Sequence, residues 1–228
     1  MRLVLVLSAL FLLASNPLWA QDATPEPQEE PASPILALEE GYQVFPAERL
    51  ANSLYRNGER IFSRQGLAVR GMLVIKQGLL VYATDEDNQK KLELIPGEEM
   101  DVSLEALEDG FYRLKVKGGL SRLFRILEDG EIQDLLPRSN TAGNFVFNGK
   151  DKGAFTHIVG GKQVETSDGR TRYQYSFKLH VVEQGKNEVT HLAPTVVNYS
   201  ADLNLRWIRE NQLQYTDGNG QVERITVR

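Results

Sequence analysis

The 228-residue chain contains no cysteine. That excludes disulfide staples, thiolate metal sites and cysteine nucleophiles. Small secreted eukaryotic domains usually depend on disulfides. An exported chain without any therefore points to a bacterial periplasm and a core held by ordinary apolar packing. Histidine is scarce too, with 3 in the chain, so each candidate imidazole can be weighed singly.

Long hydrophobic runs are also missing. A membrane-spanning helix needs about 20 apolar residues, and the longest run here is Leu3 to Ala14. It follows Arg2 and leads through Pro17 to Ala20 and then a polar residue. That arrangement reads as a secretory signal over residues 1–20, with cleavage after Ala20. Leu18, three residues before the cut, is larger than usual there, and an uncleaved anchor is the competing reading. No transmembrane segment is expected after cleavage, and the localisation implied is the periplasm.

No strong excess of either charge is present. With 26 Lys and Arg against 31 Asp and Glu, the net charge is −5. The densest basic stretch, Arg113 to Arg125, is interrupted by Leu114, Val116, Leu120, Leu123 and Phe124. That is the solvent face of strands rather than a basic stripe, so nucleic acid is not an expected partner.

What is present begins with an acidic, proline-rich segment. Residues 21–34 read QDATPEPQEEPASP and cannot bury enough apolar area to offset their ordering entropy. We assign 21–40 as a linker and 41–228 as a β-rich periplasmic domain, with a possible internal boundary near 137–143. Pro46 to Gly58 carries Leu50, Ala51, Leu54 and Tyr55 on one helical face, so a short helix is favoured there. The alternative is a hairpin turning at Asn57-Gly58.

Beyond Gly66 the pattern is of strands. Asp109-Gly110 and Asp129-Gly130 divide apolar runs, and Tyr173, Phe177, Leu179 and Val181 alternate with polar residues. The fold class expected is mainly β, an antiparallel meander forming a barrel or sandwich, with at most one or two short helices near the N-terminus. An outer-membrane barrel is disfavoured because Lys115, Lys117, Lys178 and Arg206 stand on strand faces that lipid would have to meet.

The stretch GNFVFNGKDKG at Gly143–Gly153 resembles a phosphate loop only superficially. The glycine spacing is wrong and Asp151 follows Lys150, where a hydroxyl would be needed for magnesium. Phe145 and Phe147 alternate as on a strand, and Asn148-Gly149 is a turn dipeptide.

No Gly-x-Ser-x-Gly elbow surrounds Ser121, Ser139 or Ser176. His157 shares strand parity with Phe155, and His191 with Val189; if those strands are neighbours their rings meet inside as a weak catalytic or ligand-binding candidate, against the favoured reading of two satisfied, partly buried histidines. His180, on the alternate face of its strand, is expected in solvent. Tyr199 and Trp207 belong to a late aromatic set that can line a pocket, although such stripes are more often core. No catalytic residue, metal or cofactor is assigned. The function expected is that of a non-enzymatic cell-envelope domain binding a protein partner or an apolar small ligand. The alternatives are a small periplasmic hydrolase using His157 or His191, and a structural envelope-assembly protein.

Overall fold

The computed structural model describes residues 36–37, 41–45 and 52–227, save 119, 138, 140, 168 and 187. The signal, most of the linker and residues 46–51 lie outside them. Every described residue falls in the unit Ser33–Arg228.

Five antiparallel sheets follow one another along the chain. The first holds β1 (Leu36–Ala37), β2 (Tyr42–Phe45), β3 (Ser53–Arg56) and β4 (Glu59–Ser63). The second holds β5 (Ala68–Ile75), β6 (Gly78–Thr84) and β7 (Lys90–Pro96). The third holds β8 (Val102–Ala106), β9 (Phe111–Val116), β10 (Leu120–Ile126) and β11 (Ile132–Asp134). The fourth holds β12 (Ala142–Phe147), β13 (Lys152–Glu165), β14 (Thr171–Glu183) and β15 (Val189–Asn198). The last holds β16 (Arg206–Arg209), β17 (Gln212–Thr216) and β18 (Val222–Thr226). Among the described residues there is no helix, and so none long and apolar enough to cross a membrane.

The β class and the antiparallel meander are as the alternation predicts; the sheets form no closed barrel, and their arrangement is compatible with a sandwich. Tight turns keep neighbouring strands within one sheet, as at Asp109-Gly110, where both residues have positive φ. Connections at 64–67, 97–101, 135–141 and 199–205 carry the chain from each sheet to the next.

A separate apolar core fills each space between successive sheets. Tyr42, Val44 and Leu54 meet Leu79 and Val81 between the first two. Leu80 and Tyr82 meet Leu114 and Phe124 between the second and third. Phe111 and Leu123 meet Phe155 and Val182 between the third and fourth. Phe177 and Leu179 meet Leu203, Leu213 and Tyr215 between the fourth and fifth. The inner sheets are thus buried on both faces, and Leu79–Tyr82 is a continuous apolar run for that reason. Each such side chain contributes roughly 1.5–3 kcal/mol on leaving water.

The helix favoured over Pro46–Gly58 does not form across its described part. Ser53–Arg56 is strand, and Leu54 pairs with Phe62 across Asn57-Gly58. Both turn residues have positive φ, 50° and 82°, the geometry that matches the twist of flanking strands. Leu36–Ala37, within the span assigned to the linker, already pairs with β2. Residues 137–143 carry the chain from the third sheet to the fourth across a shared core. There the Ser121 hydroxyl donates to the Ala142 carbonyl.

Candidate functional site

Strands β13, β14 and β15 lie side by side, and their register places Phe155, His180 and His191 in one row. His180 is 1% exposed, contrary to the solvent position expected for it. Its strand alternates Phe177, Leu179 and Val181 toward the fifth sheet, and the other face, which carries His180 and Val182, meets the third sheet. A second covered face is invisible to an argument that allows each strand only one.

The ring of His180 stacks on Phe155 with centroids 5.0 Å apart and planes 11° from parallel. His191 meets it edge-on, with the two Nδ1 atoms 2.7 Å apart. His157 tilts against His180 at 5.5 Å, and its Nε2 lies 3.1 Å from the Ser139 hydroxyl. The strands of His157 and His191 are not neighbours, since β14 lies between them, and each ring instead meets His180. The buried Nε2 of His180 has no hydrogen-bond partner among the described residues.

Facing nitrogens 2.7 Å apart share one proton, since one must donate and the other accept. Burial, reinforced by His191, His157 and Lys178, lowers the His180 pKa to about 4. Burial and then the Lys178 and His191 charges lower that of His157. Among the described residues no carboxylate acts on either ring to hold it as a general base. Among the described residues, no three His, Asp or Glu side chains are placed to hold a metal ion.

Trp207 and Tyr199 are not brought to this cluster. Trp207 is half-buried on the core between the fourth and fifth sheets, and its Nε1–H donates to the Val146 carbonyl at 3.2 Å. Tyr199 is 38% exposed and borders an open cleft of about 620 Å³ with Val197, Tyr215, Asp217 and Glu223. Another open cleft, of about 770 Å³, is bordered by Lys90, Asp109, Arg125, Glu128, Asp129 and Gln184. Arg125 is buried at its wall. It donates to the Glu183 carbonyl at 2.9 Å, the Gln133 side chain at 2.6 Å and the Lys186 carbonyl. Desolvation lowers its pKa. Both clefts are rimmed by charge, unlike the enclosed apolar sites that take small hydrophobic ligands.

The remaining feature is the far half of the β13–β14 hairpin. Tyr173, Tyr175 and Phe177 form an aromatic ladder, with centroids 4.8 and 6.1 Å apart. Burial falls along it, from 0% exposure at Phe177 to 47% at Tyr173. Gly161 makes the outer end possible, because a Cβ there would strike the Tyr173 ring. Alternation in the sequence marks these residues as strand, but not that the strand outruns its covering layers.

No protein-family model matches this chain, and no curated protein matches it in sequence. A crystal structure of catalytically inactive virginiamycin B lyase from Staphylococcus aureus with quinupristin is similar over 72% of this chain and 71% of that one. The identity is 14% and the TM-score 0.22, a likeness that carries no argument about fold or activity.

Proposed function

We propose that this protein is an exported domain of the bacterial cell envelope that binds a protein partner and carries out no catalysis. The supporting observation is the β13–β14 hairpin with the adjoining β15, which hold Tyr173, Val159 and Val197 in solvent at 47%, 42% and 39% exposure. Rigid aromatic and β-branched side chains on a stiff strand pair present contact area at little entropic cost. The charged rims of both clefts favour a protein over an apolar small ligand. Export rests on the N-terminal signal pattern and the absence of cysteine.

The experiment is site-specific photocrosslinking in the native cell. A photoreactive side chain at position 173 should give a discrete protein adduct in the periplasmic fraction, and one at position 74 should give none. Failure to form any adduct from position 173, or protein confined to the cytoplasm, would overturn the reading.

A hydrolase remains the second reading because Ser139 and His157 are within hydrogen-bond distance, as a nucleophile and base must be. It requires that the purified protein cleave a simple aryl ester and that Ser139→Ala abolish the cleavage at unchanged Tm. Equal background rates for the wild type and the variant would dismiss it.

A further inference from the structure

Strand β13 outruns one of its neighbours. Its pairing with β12 reaches only as far as Ala142 opposite His157, whereas its pairing with β14 continues to Glu165 opposite Thr171. Among the described residues no strand lies along the outer edge of 160–165. Alternate main-chain N–H and C=O groups of that segment therefore point outward, as on any open sheet edge.

The irregularity between Ile158 and Gly160 sets which side chains accompany this edge. Gly160, Lys162 and Val164 stand opposite Ser176, Gln174 and Arg172, so Lys162 and Arg172 share a face. Lys178 continues that face along β14, and all three cations are exposed. Val164 is half-buried between them, and Val197, opposite Ser176, adds apolar surface. Glu165 falls on the other face by the same register.

We propose that residues 160–165 of β13 are a docking edge for an extended acidic segment of a protein partner. The segment adds a strand to the fourth sheet and lays its carboxylates along Lys162. The proposal rests on the protein-binding reading above and names the surface and chemistry of that contact. Main-chain bonds along the edge supply attraction indifferent to sequence, and alternate side chains meeting Lys162 and Val164 supply the selection. A second copy of this chain is a poor occupant. Symmetric antiparallel pairing centred on residues 161 to 163 puts Lys162 opposite or diagonal to its own counterpart, where like charges repel. Lysine at an edge thus keeps copies apart while favouring an acidic strand.

The test uses the full mature chain and a fluorescent peptide of alternating glutamate and valine. Binding is expected to weaken at least about tenfold in Lys162→Glu and to fall with added salt. N-methylation of alternate peptide amides should abolish binding in one phase of the alternation and spare it in the other, because only half of the amides face the edge. An alternating lysine–valine peptide should not bind. Unchanged affinity in Lys162→Glu, or indifference to N-methylation in both phases, would overturn the proposal. So would Lys162-dependent binding to phosphatidylglycerol vesicles with none to the peptide, which would make the face a membrane contact. If position 173 crosslinks a protein while the peptide fails, the edge is refuted and the protein-binding reading stands. Absence of any adduct defeats that reading itself.

Discussion

His180 and His191 face each other across strands β14 and β15 with their Nδ1 atoms 2.7 Å apart, and His180 is sealed between two sheets. The pair can hold one shared proton in that contact but not one on each facing nitrogen. The pKa of His180 is about 4 in the folded protein and about 6.5 in an unfolded chain. Between those values the unfolded state binds more protons, so stability is full above pH 6.5 and falls as the pH drops toward 4. The loss is expected to reach up to about 3 kcal/mol. Urea denaturation at stepped pH measures it, and His180→Phe should flatten the slope in that window. An unchanged slope would mean that other groups carry the pH dependence.

Arg122 and Asp134 make a half-buried pair on adjacent strands β10 and β11, each side chain 12% exposed, and Arg122 also donates to the Gln77 side-chain oxygen at 2.8 Å. Removing one partner leaves a half-buried charge without its counter-ion. Asp134→Asn is therefore expected to cost about 1–2 kcal/mol, measured by urea denaturation. Replacing both residues by apolar ones of similar volume should recover most of that loss. A single variant as stable as wild type would show that the pair is solvated.

The Asn57-Gly58 turn separates two accounts of one segment by the sign of an effect. In a helix ended by Gly58, Asn57→Ala would stabilise by about 0.5 kcal/mol. In the hairpin, with Asn57 at φ 50°, the same change should destabilise by about 1 kcal/mol. Thermal melting of the variant decides between them.

The sequence is legible wherever a strand alternates cleanly or a turn carries Asp-Gly or Asn-Gly. Asp109-Gly110, Asp129-Gly130 and Asn148-Gly149 all turn where their dipeptides indicate. Leu54 and Tyr55 mislead because two adjacent apolar residues suit a helical face as well as a strand buried on both sides. His180 misleads for a related reason. Its neighbours on the same face, Lys178 and Ser176, look solvated, and only the stacking of the third sheet on the inner half of that face buries it. The meeting of His157 and His191 on a third ring depends on register between strands, which parity within each strand does not supply. The open edge of β13 likewise follows from where β12 stops, a difference in length between separate elements.

The most direct test of the account removes the outer hairpin. Lys162 and Gln174 are opposed across β13 and β14, so residues 163–173 can be replaced by an Asn-Gly turn that closes the pair. The trimmed protein is expected to melt cooperatively at the wild-type Tm, since the residues removed lie outside the four cores. The partner crosslinked from position 173 in the full chain should no longer co-purify from the periplasm with the trimmed one. Undiminished co-purification at unchanged Tm would contradict the claim that this hairpin is the binding surface.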